Sequence, residues 1–100
     1  MYYLQGSFVA TEGQRDKLAE VLLKASELVE QVGGCHLYVV STKADDDQSV
    51  FVTEVWDDKE AQEASLQNED IRALIGQAMP IIDSASENRL ELETLGGLGI

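Results

Sequence analysis

Between Gly33 and Gln67 the chain carries two β-patterned runs, Cys35 to Thr42 and Ser49 to Trp56, joined by an acidic turn from Ala44 to Gln48 and followed at once by a helix start. Runs rich in Val, Tyr, Phe and Thr around a short Asp-rich loop read as a β-hairpin. A tight hairpin makes its two strands antiparallel neighbours, so the fold has to be built outward from this pair. The rest of the chain divides where the hydrophobic period changes. Met1 to Ala10 reads as a strand. Thr11-Glu12-Gly13-Gln14 has the form of a capping box, and Leu18, Val21, Leu22, Ala25, Leu28, Val29 and Val32 follow at helical spacing up to Gly33-Gly34, which stop the helix. After Trp56, Asp57 is the expected cap, with Glu60 reaching back to it. Asn68 then caps a second segment that buries Ile71, Leu74, Ile75, Ala78 and Ile82 and kinks or finishes at Pro80. Arg89 to Leu95 alternates as a last strand, and the final glycines read as a loose tail.

The order strand, helix, strand, strand, helix, strand is the split β-α-β arrangement of a ferredoxin-like α+β fold, a four-stranded antiparallel sheet with its helices on one face. The other face should then show polar residues at every second position. It does not. Tyr2, Leu4, Phe8 and Ala10 fall on one parity of the first strand, with Tyr3 and Val9 on the other. In the hairpin, Leu37, Val39, Val50 and Val52 are grouped on one parity and Tyr38, Val40, Phe51 and Val55 on the other. A turn centred between Asp45 and Asp46 sets Leu37 opposite Glu54 and Tyr38 opposite Thr53, and a slip of one residue exchanges those assignments. The helices cover one apolar face, and a second copy packed sheet to sheet, a homodimer, is the simplest cover for the other.

One hundred residues with 44% hydrophobic content and one proline specify a single domain spanning residues 1–100, with a tail from about 96. A net charge of −12 with only seven Lys and Arg repels phosphate backbones and anionic lipid, which excludes nucleic acid and membrane surfaces as expected partners. The first residues run straight into a β-like segment, so neither a signal peptide nor a membrane span is expected, and the cytoplasm is the expected compartment. A lone Cys35 among apolar neighbours fits a buried, inert thiol. With one His and one Cys the chain lacks the three or four ligands of a zinc site, and Asp45-Asp46-Asp47 lacks the spacing and closing Glu of a calcium loop, so no metal is expected.

Gly34-Cys35 before the second strand, Glu54-Val55-Trp56 at the end of the third, Asp57-Asp58-Lys59-Glu60 at the helix start and Ala61 beyond it resemble the antibiotic biosynthesis monooxygenase family. The resemblance implies a dimeric α+β barrel with a pocket between sheet and helices in each subunit. It also implies a quinol-type monooxygenase needing neither metal nor flavin, in which a deprotonated aromatic substrate itself gives an electron to O2. The protein then binds the anion, keeps the site dry and orients it. Relatives with a His nine residues after the Trp have an imidazole where this chain has Ser65, and Ile75 stands where haem-degrading relatives place an axial His. Haem chemistry is therefore the least supported branch, since the iron would lack its nitrogen ligand.

The candidate catalytic residues are Glu54 and Trp56. Glu54 is a carboxylate in an otherwise apolar strand: facing a pocket it becomes a general base with a raised pKa, and facing a rim it is an ordinary solvated or paired group. Trp56 can stack on a flat substrate and donate its indole N–H, or simply fill core. Tyr3, Tyr38, Ser65 and Arg72 are the candidate substrate contacts, the tyrosines for a phenol or quinone oxygen and Arg72 for an anion. His36 reads as structural. A non-catalytic dimeric binding or scaffold protein of the same fold is the alternative. The two differ in the cavity, which in an enzyme holds Glu54 or a Tyr facing a space of roughly 300 Å3 or more and in a scaffold is filled by apolar side chains.

Overall fold

The computed structural model describes residues 1–85 and 89–100. Its hairpin joins β2 (Cys35–Thr42) to β3 (Ser49–Trp56), and the turn is organised by Asp46. The Asp46 carboxylate accepts hydrogen bonds from the backbone N–H groups of Gln48 and Ser49, each 2.8 Å long, the Asx geometry that suits Asp to turns. Those bonds favour the ionised form and hold the Asp46 carboxyl below its usual range. With the turn centred on Asp46, Thr42 pairs with Val50, Tyr38 with Glu54 and Leu37 with Val55. This is one residue displaced from the expected pairing of Leu37 with Glu54, because the turn takes up one more residue on the β3 side. Tyr38 and Val40, rather than Leu37 and Val39, therefore share a face with Val50 and Val52. The register shifts again between Cys35 and Leu37, at the beginning of β2.

β1 (Tyr2–Ala10) pairs antiparallel with β3 along nearly its whole length, from Tyr2 opposite Trp56 to Val9 opposite Ser49. On its other side β1 meets two short strands, β4 (Ile82–Ala85) at the Phe8–Ala10 end and β5 (Leu90–Glu93) at the Tyr2–Gln5 end. The fourth position of the sheet is thus shared by two pieces where a single strand from Arg89 to Leu95 was expected. Ile82-Asp83-Ser84-Ala85 has little β-propensity, and backbone pairing with Phe8, Val9 and Ala10 is what extends it.

Among the described residues, three α-helices lie against one face: α1 (Arg15–Val32), α2 (Lys59–Ser65) and α3 (Glu69–Ala78), the last running into a 3-10 turn at Met79–Ile81 that contains Pro80. α1 does not start with a capping box. Gly13 has φ of +77°, the Gln14 N–H bonds the Thr11 carbonyl at 3.0 Å, and Gln14 is an N-cap without a side-chain bond, so Thr11 to Gln14 forms a turn. α2 is capped by Asp58, whose carboxylate accepts from the Ala61 N–H at 2.8 Å. Asp57, the expected cap, is instead bonded to His36 Nε2. α3 begins as expected, with Asn68 Oδ1 accepting from the N–H groups of Asp70 and Ile71 at 2.9 and 3.1 Å. Gly34 permits the entry to β2 to pass close to α2. Its φ is +82° and a β-carbon there would stand 3.1 Å from Ala61 Cβ.

The core lies between the helices and the sheet. One cluster holds Ala10, Leu18, Val21, Val50 and Ala78, and a second holds Val29, Trp56 and Ile71. On the opposite face, Leu92, Tyr3, Val55 and Leu37 form a row across four strands. Beside it Gln5 Nε2 bonds Thr53 Oγ1 at 3.1 Å, between Leu90 and Val39. No helix among the described residues is long and apolar enough to cross a membrane. Asn68→Ala removes the cap that satisfies two N–H groups of α3, and should cost about 1 kcal/mol of stability. Urea denaturation is expected to show a lower midpoint with an unchanged slope.

Candidate active site

Period-two alternation puts Leu4, Gly6 and Phe8 of β1, Tyr38 of β2, and Val52 and Glu54 of β3 on the helix side of the sheet, where they floor a cavity of about 280 Å3. α1 contributes Val21, Leu22, Ala25 and Val29, α2 contributes Gln62, Ser65 and Leu66 at its end, and α3 contributes Ile71, Leu74, Ile75 and Ala78. Leu66, Ile75 and Met79 line the cavity and are also exposed, so it opens to solvent between the helices. The volume sits at the lower edge of the roughly 300–1,000 Å3 common for ligand sites. The wall is mostly apolar, with Tyr38, Glu54, Gln62, Ser65 and Arg89 as its polar members.

Glu54 is largely enclosed, and burial pushes its carboxyl above the ordinary value because the charged form loses hydration. Two groups work against that rise, the Trp56 indole N–H, which donates to Glu54 Oε1 at 3.0 Å, and the positive charge of Arg89. Tyr38 faces Glu54 directly across the β2–β3 ladder. Burial, and secondarily the Glu54 charge, drive its hydroxyl pKa far above the usual tyrosine value. Tyr38 is therefore a neutral donor, not a tyrosinate, and its hydroxyl has no hydrogen-bond partner among the described residues. The site couples an acceptor of raised basicity to a donor held protonated, both within an apolar wall.

The expected site residues divide accordingly. Glu54, Tyr38 and Ser65 meet at the cavity, although the Ser65 hydroxyl already donates to the Gln62 carbonyl at 2.6 Å. Trp56 does not line the cavity. It is fully buried among Val29, Ile71, Leu28 and Ala61, and reaches the site through Glu54. Tyr3 points to the opposite face with Val55 and Leu92, because one-residue alternation separates it from Leu4. Arg72 is exposed on α3 and forms no ion pair among the described residues. Two polar groups at the cavity were not expected. Gln62 is a buried residue that lines the cavity. It precedes Ser65 by three residues, so helical spacing was the signal that could have found it. Arg89 enters from the edge beside β5, and only the pairing of Gln5 with Leu90 shows that it comes alongside Gly6.

Elsewhere, Glu12, Gly13, Arg15, Asp16, Asp47 and Gln48 surround a surface hollow of about 450 Å3. It is larger than the cavity but has no apolar wall, and Arg15 spans it to the Asp46 carbonyl at 2.8 Å. The Cys35 thiol donates weakly to the Leu37 carbonyl at 3.4 Å, and burial raises its pKa, which keeps it protonated. Among the described residues no three His, Cys, Asp or Glu side chains are grouped to hold a metal ion.

Residues 1–77 match the family model described as antibiotic biosynthesis monooxygenase. The chain belongs to that family. A solved structure from Chloroflexus aurantiacus J-10-fl, described as a candidate antibiotic biosynthesis monooxygenase, is 34% identical over 96% of this chain and 94% of its own, with a TM-score of 0.86. A family protein of the same description from Deinococcus radiodurans is 21% identical, with coverage of 100% and 98% and a TM-score of 0.80. SnoaB, a cofactor-independent oxygenase from Streptomyces nogalater, is 13% identical with a TM-score of 0.79, covering 97% of this chain and 95% of its own. The latter two share the fold. No curated protein matches the sequence.

Because the folded-state pKa of Glu54 is raised, folding favours its protonated form. That contribution is fully present below the unfolded value and is lost as pH rises through the folded one. Glu54→Gln keeps an acceptor for the Trp56 N–H and removes the buried charge. Its melting temperature should exceed that of the wild type at pH 7.5, with the gap closing as pH falls below 4.5, the ordinary value of the group. Thermal denaturation across pH measures both.

Proposed function

We propose that this protein is a monooxygenase that oxidises a small phenol or quinol with O2, using no metal or organic cofactor, and that it works as a homodimer. The observation that carries this reading is the pairing of the largely enclosed Glu54 with neutral Tyr38 at an apolar cavity. In the reaction a quinol and O2 become a hydroxyquinone and water. Glu54 takes the phenol proton as general base, and Tyr38 donates to the resulting oxyanion. The phenolate gives one electron to O2, and the two radicals join in a carbon–oxygen bond. The O–O bond then breaks, one oxygen staying on the ring. The other leaves as water with the ring-carbon proton and the proton that Glu54 held. Trp56 acts as a positioning residue by fixing Glu54 Oε1, while Gln62 and Arg89 offer further contacts to a polar or anionic ring substituent. The family relation and the description of SnoaB as cofactor-independent support this chemistry.

The dimer is supported by the outer sheet face, where Leu92, Leu90 and Val39 remain between 41% and 50% exposed in the single chain beside the buried Val55. Large apolar side chains exposed together on one sheet face, on either side of the Gln5–Thr53 pair, call for a cover. Leu92→Glu places a charge there without touching the cavity. Sedimentation at micromolar concentration should show a dimer for the wild type and a monomer for the variant, and a monomeric wild type would refute this part of the reading.

The test of the chemistry is O2 uptake by metal-free, flavin-free protein over a panel of hydroquinones and hydroxyarenes. Glu54→Gln is expected to lower the protein-dependent rate by at least about 100-fold, the usual scale of general-base catalysis. Trp56→Phe should lower it less, and the wild-type rate should fall as acid protonates Glu54. Binding without protein-dependent uptake would assign the second reading, a ligand-binding protein. That reading has a specific support in Ser65, whose hydroxyl is engaged by the Gln62 carbonyl and supplies no free base.

A further inference from the structure

Gly6 stands in the middle of β1, where a glycine packs nothing and loses the most freedom on folding. Nothing among the described residues around it demands a glycine. Its φ is not among the positive values, and the β1–β3 ladder continues without interruption through its pairing with Val52. Among the described residues, a β-carbon built at Gly6 meets only Arg89 Cγ, at 3.8 Å, an ordinary contact. The reason for the glycine therefore lies above the strand, where it forms part of the cavity floor between Leu4 and Phe8. Glu54, whose direct partner is Leu4, is its diagonal neighbour across the ladder, at the roughly 7–8 Å that separates such positions.

We propose that Gly6 is the size-determining residue of the site: the missing side chain is the slot that seats the second ring of a bicyclic hydroxyarene, with the ring hydroxyl directed to Glu54 and Tyr38. The proposal rests on the reading of this cavity as the substrate site. An apolar cavity of about 150 Å3 accommodates benzene. The cavity of about 280 Å3 found here is nearly twice as large, and a side chain rising from the middle of its floor would return it towards single-ring size. The slot lies beside the stem of Arg89, so a ring seated over Gly6 would rest between that stem and Phe8.

The experiment is anaerobic calorimetric titration of wild-type protein, Gly6→Ala and Gly6→Val with 2-naphthol and with phenol, together with melting temperatures. Gly6→Val is expected to weaken 2-naphthol by at least about tenfold, as overfilling a packed site does, and Gly6→Ala by less. Phenol should change by no more than about threefold in either variant, since the remaining space still takes one ring. Melting temperatures should hold or rise, because a β-branched residue suits a strand better than glycine. Unchanged 2-naphthol binding in Gly6→Val would overturn the proposal, as would equal losses for both ligands accompanied by a lower melting temperature. Arg89→Met keeps the stem and removes the charge; if it reproduced the selective loss of 2-naphthol, Arg89 and not Gly6 would set the size. A wild-type protein that binds neither ligand would refute the cavity as the substrate site, whereas binding that is indifferent to Gly6 refutes only the role of Gly6.

Discussion

The two N–H bonds accepted by the Asp46 carboxylate are the smallest element on which the rest of the structure depends. They centre the hairpin on one residue, and in a strand a change of one residue sends every side chain to the other face. In the register they set, Tyr38 and Glu54 stand opposite each other on the helix side. In the neighbouring register Leu37 would oppose Glu54, and Tyr38 would oppose Thr53 instead. The chemistry proposed for the cavity is thus set by a turn at the far end of the hairpin.

Holding a carboxylate in that position works against stability, since its charged form is poorly hydrated there. The fold limits the penalty through Trp56, two residues along the same strand, whose indole N–H reaches Glu54 Oε1 while its ring fills the core between Val29 and Ile71. A single side chain both packs between α1 and α3 and fixes the orientation of the Glu54 carboxyl. The net result is a carboxyl of raised pKa, the property a general base for phenols requires. Tyr38, kept from ionising by the same burial, stays a donor.

The sheet is apolar on both sides, and its two faces serve different ends. The helix side is left incompletely filled, by Gly6 in the floor and by the spread of Leu66, Ile75 and Met79 at the opening. The far side carries the row of Leu92, Tyr3, Val55 and Leu37, with no helix among the described residues laid over it. On the reading proposed above, one face makes a site and the other an association surface, and strand alternation separates the two.

Much of the fold was legible from hydrophobic period alone: the hairpin, the long helix ending at Gly33, the start of α3 at Asn68, and a sheet with two apolar faces. These are local patterns, repeated often enough to outweigh single exceptions. The misreadings at the helix starts share a cause, which is that they turn on competition between equally suitable neighbours. Thr11 and Gln14 match a capping box, but Gly13 turns the backbone before the helix can begin. Asp57 and Asp58 are equally good caps, and His36, brought alongside by the sheet, engages the first and leaves the second to the helix. The sequence by itself determined the order of the elements, the presence of two apolar sheet faces and the carboxylate and aromatic residues available to a site. Only the tertiary structure decided which face each strand turned inward, and with it that Glu54 and Tyr38 line the cavity while Tyr3 does not, and that Gln62, Arg89 and Gly6 belong with them. Alternation defines two faces on every strand, but the pairing of one strand with the next, and the helices laid across them, select the one that is enclosed.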